Sequence, residues 1–392
     1  MSSCAGRSVR VLHFINNENL SWYNMFLDTV RAQERRGHEV KVVVPPGGTN
    51  ADRLEADGAE VIRLRVRSSK FDLWAARALS RIIRAEGAEI VHAHLTSSAL
   101  LGSLAAGWAG TPCVASVLKI TRKRHYMRCD RLLPCSDAVM ESLLEQGVPA
   151  AMMRRVYTGI DFERFFAGFD PGENIRGQFG WGEGHRVAAC IARLVPMKGH
   201  RHLVEAAALA AAAHPEVRFL LVGDGELRGA LEAQAKRLGV GGIVHFAGTR
   251  TDLARILNSS DLSVLASVGK EGLPVAMVES ALMKKPLVMT DVAGIREVVR
   301  DGGTGLLAPP GDARAFAAAL IRMLEDPGAA ERMALAAHEF VRREFNVDNT
   351  AAQMDEEYAR AMGGGGGRRA LRGGAARVRR GRVGAAVMRN CQ

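Results

Sequence analysis

The chain has 392 residues, 47% of them hydrophobic and 24% charged, an ordinary globular balance that is long enough for two domains and lacks any run of the roughly 20 apolar residues needed to span a bilayer. Its formal charge of +11 suggests nucleic acid, but eight of the eleven positives are arginines from Arg368 to Arg389, in a Gly, Ala and Arg tail with no acid, which leaves three for the rest. The body is not strongly basic, and no nucleic-acid partner is expected.

The elements read in order as alternating strands and helices. Val9–Ile15 is a short apolar run ending at Asn16 and Asn17, Trp22–Arg36 is helical, and Val40–Val44 is a strand stopped by Pro45-Pro46-Gly47-Gly48. The alternation continues with a strand at Val61–Leu64, a helix from Trp74 to Ala85, a strand at Glu89–Ala93, a small-residue helix from Ser97 to Ala109, and strands at Val114–Val117 and Arg131–Pro134. Ser136 is placed as the N-cap of a helix to Gln146, and Val156-Tyr157 is expected to close this first sheet. A Gly-rich stretch, 165–184, reads as a linker. A second alternation follows, with strands at Val187–Ile191, Val217–Val222, Ile243–Phe246, Leu262–Ala266 and Pro286–Met289. Helices at Ala313–Leu324, Ala329–Glu344 and Asn349–Met362 complete it, and 363–392 is too poor in large apolar groups to fold and is expected to be disordered. Strand, helix, strand at this spacing specifies parallel sheets with crossover helices, so the fold class is α/β with two facing Rossmann-like domains and a cleft between them.

The six cysteines show no C-x-x-C pair and no Cys/His cluster of ligand spacing, which points to reduced thiols and no metal centre. No signal peptide is read at the start, so a soluble or peripheral cytoplasmic protein is expected.

Chemistry concentrates in Gly269-Lys-Glu-Gly-Leu-Pro-Val-Ala-Met-Val-Glu279. Gly272 and Pro274 mark a tight turn into a helix whose first N–H groups lack partners and suit an anion. Glu271 and Glu279 flank that turn and would repel a phosphate, so they read as acceptors for neutral hydroxyls on either side of it. Hydroxyls, diphosphate, hydroxyls is the layout of a nucleotide sugar. Arg193 and Lys198, five apart after a strand and ahead of Gly199, supply a fork and a point charge for the diphosphate. Gly223-Asp224-Gly225 alone is a turn, and Arg250 in Arg250-Thr-Asp252 is a candidate edge for the base. His92 and His94 share one side-chain direction near a strand end, where a structural histidine bonded to backbone is the plain reading of His94. Arg122-Lys-Arg-His-Tyr126 with Arg128 and Arg131 forms a basic patch, read either as a solvated face or as a surface for an anionic lipid-linked or phosphorylated molecule.

The run Arg193 to Gly199, Phe219 to Gly225, Phe246-Ala-Gly248, Asp261 to Ser267, Glu271 to Glu279, Gly294-Ile-Arg-Glu297 and Gly305-Leu-Leu resembles family four of the retaining glycosyltransferases, which have the GT-B fold. The likeness spans roughly residues 9 to 362 and is dense after Arg193. It implies an acceptor-binding domain over 1–164, a linker over 165–184, a nucleotide-sugar domain over 185–348, and a helix over 349–362 that returns to the first domain.

It also implies transfer of a sugar from a nucleoside diphosphate to a hydroxyl with retention and without a metal. Arg193 and Lys198 would neutralise the leaving diphosphate, the N–H groups near Gly272, Leu273 and Val275 would meet the phosphate, and Glu271 would hold the transferred sugar. Glu279 would hold the ribose, and His94 would face the acceptor. Cell-envelope polysaccharide or lipopolysaccharide assembly is the implied setting, with a glycan or lipid-linked acceptor and an anionic membrane surface as partners. Two departures stand out: Asn16-Asn-Glu-Asn19 replaces a Gly pair in the first loop, and Leu118-Lys119 occupies the place of a histidine near the reacting sugar. A non-catalytic nucleotide-sugar-binding protein, or an epimerase or phosphorylase of the same fold, are the alternatives.

Overall fold

The structure, a computed structural model, describes residues 7–17, 22–47, 49–67 and 72–364; most of the expected disordered tail, and part of the Asn16–Ser21 loop, lie outside them. Two six-stranded, all-parallel sheets carry helices on their faces. The first contains β1 (Arg10–Ile15), β2 (Glu39–Val44), β3 (Glu60–Arg63), β4 (Ile90–His94), β5 (Cys113–Val117) and β6 (Arg131–Pro134), in the order β3-β2-β1-β4-β5-β6. Its helices are α1 (Tyr23–Arg35), α2 (Thr49–Ala56), α3 (Leu73–Ala85), α4 (Leu95–Ala109) and α5 (Asp137–Glu145). The second contains β7 (Arg186–Ile191), β8 (Val217–Val222), β9 (Val244–Gly248), β10 (Leu262–Leu265), β11 (Leu287–Thr290) and β12 (Leu306–Ala308), in the order β12-β11-β10-β7-β8-β9.

Strands covered on both faces read as nearly continuous apolar runs, which is why β1, β4, β5, β8 and β10 were visible in the sequence. In each sheet the strand order reverses next to the first strand, between β1 and β4 and between β7 and β10. The connections on either side of such a point diverge and leave a crevice at the carboxyl ends of the strands.

The chain crosses between the sheets twice. The outgoing segment passes Ile160 into α6 (Phe162–Phe165), which Asp161 caps by accepting from the Arg164 N–H at 3.1 Å. The second sheet's helices are α7 (His200–Ala213), α8 (Arg228–Arg237), α9 (Leu253–Asn258), α10 (Val275–Leu282), α11 (Ala313–Glu325) and α12 (Pro327–Glu344), and α13 (Val347–Gly363) runs back. The crossings are stitched together by Ile160 N–H to Phe345 O (2.8 Å) and Val347 N–H to Ile160 O (3.2 Å). They meet so closely that a Cβ on Gly159 would sit 2.4 Å from the Val347 Cα, so only glycine fits there. Helix α13 buries Met354, Tyr358 and Ala361 against Val9, Val11, Ile90, Val114 and Leu133 of the first sheet. Within 165–184, Ile175 and Trp181 are buried against Val187, Ala189, Leu220 and Ile256 of the second.

Ser136 caps α5 as expected, accepting from the Val139 N–H at 3.2 Å. Three readings are corrected. Val156-Tyr157 is not a strand of the first sheet, which ends at β6; Val156 is buried under α13 and Tyr157 packs into the second domain's core, so their apolar character serves the crossover. The polar helix α2 and the three-residue β12 carry too little apolar periodicity to be seen. Pro274 stands at the N-cap of α10 and not inside its first turn.

Candidate active site

The second sheet's crevice gathers the charged candidates. The loop after β7 and the loop after β10 touch at Gly199, whose φ of +66° and whose missing Cβ, which would lie 1.9 Å from Ala266 O, admit only glycine. This contact brings Lys198 Nζ to 2.7 Å from Glu271 Oε1, and Ser267 Oγ donates to the same oxygen at 2.6 Å. Glu271 is buried, yet its Oε2 has no hydrogen-bond partner among the described residues. The carboxylate therefore anchors the lysine with one oxygen and leaves the other able to accept a hydrogen bond. Arg193 is exposed on the first loop and has no acidic partner among the described residues. Gly223 and Gly225 press onto that loop, where Cβ atoms would meet Ala192 O at 2.1 Å and Leu194 O at 2.5 Å, so the Gly-Asp-Gly run shapes the Arg193 turn.

Past Glu271 the chain passes Gly272 and Leu273 into α10, whose first residue is Val275. A Cβ on Gly272 would lie 2.7 Å from Leu118 O, and Leu273 packs against the cores of both halves. The Leu118-Lys119 segment thus abuts the turn at Gly272. Gly294 supports this turn from behind, since its Cβ would meet Gly272 O at 2.5 Å. Glu297 then reaches the other half, accepting from Tyr157 OH at 2.8 Å and the Ala138 N–H at 3.1 Å.

One helical turn into α10 and beyond, Glu279 is buried with no hydrogen-bond partner among the described residues. Burial pushes its carboxyl up to about 7, nearby Arg164 opposes this, and Asp28 adds to it. Asp28, fully buried on α1, is gripped by Arg164 Nε and by Nη2 at 2.8 Å, and accepts from the Asp161 N–H at 3.0 Å. Burial also raises Asp28, and Arg164 counteracts it. Glu279 is left as the carboxyl without a committed partner, able to accept from hydroxyls and, when protonated, to donate.

Among the described residues the first sheet's crevice carries no ion pair of this kind. His94 ends β4, and α4 begins at Leu95 with no loop between them, which forces Leu95 to a φ of +70°. A positive φ at a bulky residue is a strained arrangement. His13 and His92 lie side by side in the β1–β4 register, and Ser116 is the β5 partner of His94. All four side chains are buried. His94 Nε2 lies 2.8 Å from His13 Nδ1, His13 Nε2 lies 2.7 Å from Gln33 Oε1, and the Gln33 amide donates to Tyr358 OH at 2.8 Å. Tyr358 OH lies 2.6 Å from His92 Nδ1, and His92 Nε2 lies 2.8 Å from Ser116 Oγ. Burial lowers all three histidines, His13 to about 4. One nitrogen from each ring falls within 4.8 Å of the others, a spacing that suits a metal ion. However, His13 and His92 each spend both nitrogens on hydrogen bonds, so two of the three rings are already committed, and His94 Nδ1 is the buried nitrogen left without a partner among the described residues.

Other candidates lie apart. Arg250 follows β9, two strands out from the β7–β10 crevice, and its guanidinium is committed to Asp252 at 2.8 and 2.5 Å. The basic patch is smaller than its sequence: Tyr126 is buried, and Arg131 is held by Glu357 of α13 at 2.5 Å. Asp28, Arg164, Ser267, His13, Gln33 and Tyr358 have no role assigned by the sequence alone; a polar residue inside an apolar strand, as at His13, is the one signal it offers.

Two facing parallel sheets, each with a crevice at its strand-order reversal, one charged and one neutral, define a GT-B architecture. Residues 24–164 match the family described as Glycosyltransferase Family 4, and residues 172–340 match Glycosyl transferases group 1. The chain belongs to this glycosyltransferase family. It is 26% identical over 276 residues to the UDP-Gal:alpha-D-GlcNAc-diphosphoundecaprenol alpha-1,3-galactosyltransferase of Escherichia coli, covering 65% of this chain and 71% of the relative. It is 36% identical over 160 residues to the lipopolysaccharide core biosynthesis glycosyltransferase LpsE of Rhizobium meliloti, covering 41% and 46%. The Anabaena protein Alr3699/HepE, solved with UDP and glucose, superposes with a TM-score of 0.77 at 21% identity, covering 90% of this chain and 99% of that one.

Proposed function

We propose that this glycosyltransferase moves a sugar from a nucleoside-diphosphate sugar to a hydroxyl of a glycan or lipid-linked acceptor, with retention of anomeric configuration. The observation that carries the reading is the Lys198–Glu271 pair at the β7–β10 crevice, beside the uncommitted Arg193 and the open start of α10. A diphosphate there would meet two cations and the N–H groups near Gly272, Leu273 and Val275, enough positive potential to stabilise its departure without a metal. Glu271 Oε2 would hold the transferred sugar and Glu279 the ribose. In this reading 1–164 binds the acceptor, 185–348 binds the donor, and 349–362 ties the second half back to the first.

The acceptor oxygen would form the new bond to the anomeric carbon on the face from which the diphosphate leaves. The diphosphate departs with the bonding electron pair, and one of its oxygens takes the acceptor proton. A UDP-hexose is the first donor to test, given the UDP named for the galactosyltransferase relative and the Anabaena structure. Envelope polysaccharide or lipopolysaccharide assembly is supported by the names of the diphosphoundecaprenol and lipopolysaccharide core relatives, and the cytoplasmic face of the membrane is the setting proposed with it.

Contact with an anionic bilayer fits the outer face of α3. Trp74 is 82% and Leu73 59% exposed there, in line with exposed Arg77, Arg81 and Arg84. Arg122, Arg124 and Arg128 are further exposed cations, on a segment that packs against α4 as α3 does. Among the described residues no helix is long and apolar enough to cross a membrane. The test of the whole reading is nucleoside diphosphate release from a panel of donors, with and without acceptor. Acceptor-dependent release with an unchanged anomeric centre supports it, and binding without turnover overturns it.

A further inference from the structure

The ribose candidate Glu279 shares its surroundings with an ion pair that the first half supplies. Asp28 stands on α1, one turn after Met25, whose side chain packs into the second half's core. That stretch of α1 therefore lies against the second half, and Asp28 is 0% exposed. Both of its oxygens are taken. Oδ1 accepts from Arg164 Nε, and Oδ2 accepts from Arg164 Nη2 at 2.8 Å and from the Asp161 N–H at 3.0 Å. Three carboxyls act on the Arg164 guanidinium, those of Asp28, Asp161 and Glu279. Asp161 is spent on capping α6 and on Arg35 at 3.2 Å. Of the three, Glu279 is the one with no hydrogen-bond partner among the described residues, and its 9% exposure keeps it in touch with solvent.

With Nε and Nη2 both on Asp28, that edge of the guanidinium fork is used up, and a buried cation stripped of its anion is costly. Without Asp28, Arg164 would turn to Glu279, the neighbouring carboxyl still uncommitted, and occupy the lone pairs that a vicinal diol needs. We propose that Asp28 is a positioning residue for the nucleotide: it detains the Arg164 guanidinium and so keeps the Glu279 oxygens free to accept from the ribose hydroxyls. This rests on the assignment of Glu279 to the ribose given above and adds the reason its lone pairs stay free. The donor site of the second half is thereby prepared by a carboxylate of the first, acting through the crossing at α6. Burial and the Asp28 charge push the Glu279 carboxyl up while Arg164 opposes them, as expected of a guanidinium that is near but committed elsewhere.

The test is calorimetry on the full chain with UDP, GDP and ADP, each beside its 2′,3′-dideoxy analogue, at fixed pH and salt. Wild type should bind the ribose form of at least one of them more tightly than its dideoxy form. D28N should then lose about tenfold in affinity for that ribonucleotide, the scale of one hydrogen bond, while its affinity for the dideoxy form holds. In an E279Q background, D28N should change neither affinity, because the two effects pass through one carboxyl. D28N/R164Q, which removes the cation together with its anion, should recover the ribose preference. Equal losses for both nucleotides in D28N, or a double variant as weak as D28N, would make Asp28 a structural residue only and overturn the proposal. Should D28N fail to fold, the neutral pair D28N/R164Q decides: a retained ribose preference supports the proposal, and a lost one overturns it. A wild type that binds ribose and dideoxy forms alike would take Glu279 off the ribose and this inference with it. One that binds no nucleoside diphosphate would instead remove the transfer reading itself.

Discussion

The two crevices occupy the same place on the same kind of sheet, yet they are built from opposite materials. At β7–β10 the protein collects full charges, Lys198, Glu271 and Arg193, and keeps a second carboxyl, Glu279, uncommitted nearby. At β1–β4 it buries three imidazoles, lowers them all by desolvation, and links them through an amide, a phenol and a hydroxyl. A site for a diphosphate needs charge, because the leaving group arrives ionised and ends more so. A site for an alcohol needs direction, which neutral hydrogen bonds supply without attracting anions or water. Under the proposed transfer, one repeated fold divides the labour by charge state, not by shape.

The strongest way to break this contrast is to remove charge from the second crevice. Lys198→Ala should lower transfer by ~10²-fold or more, the scale of losing one transition-state charge partner, measured as kcat with saturating acceptor. Wild-type turnover in that variant would dissolve the distinction. Glu279→Ala should weaken nucleotide binding about tenfold, read by calorimetry, with little effect on acceptor affinity. Gly272→Ala, which would place a Cβ 2.7 Å from Leu118 O, should push the two crevices apart and lower kcat several-fold while nucleotide affinity holds. A fall in both parameters together would show that the turn serves the donor alone.

A fourth test sharpens the electrostatic side. The Glu279 carboxyl titrates near 7 when folded and near 4.5 when unfolded, so between these values the folded protein holds a proton that the unfolded chain has released. Stability from this group therefore falls as the pH rises through that window. Glu279→Gln removes the effect, and its melting temperature should pull ahead of wild type progressively from pH 4.5 to 7 and by a constant amount above. A gap that shrinks with pH would contradict the assignment. His13 and His200, both lowered by burial to about 4, act in the opposite sense and weaken both proteins equally as the pH drops from 6.5. The smallest expected effect is truncation after Gly364, which should leave transfer from a soluble donor to a soluble acceptor unchanged in an activity assay.

The charged crevice was the more legible one. Arg193, Lys198, Glu271 and Glu279 lie within two short runs whose glycines and proline announce tight turns, and their chemistry is visible one residue at a time. The neutral crevice was not, because Gln33, His13 and Tyr358 are unremarkable alone and the bond from Gln33 to Tyr358 spans 325 positions. The same reason hid the Asp28–Arg164 clasp, 136 positions apart. Parallel strands were readable from their apolar runs, whereas Val156-Tyr157 offered the same two-residue signal for a different purpose, filling the cores that the crossover joins. Local composition records what a strand buries, but not which distant polar group it buries it with.

The most direct test of the central claim is a crystal structure with a nucleoside-diphosphate sugar bound. Diphosphate oxygens are expected within about 2.7–3.2 Å of Lys198 Nζ, the Arg193 guanidinium and the N–H groups at the start of α10, with Glu279 on the ribose. A diphosphate bound elsewhere, or a Lys198–Glu271 pair left untouched with the donor in place, would contradict it.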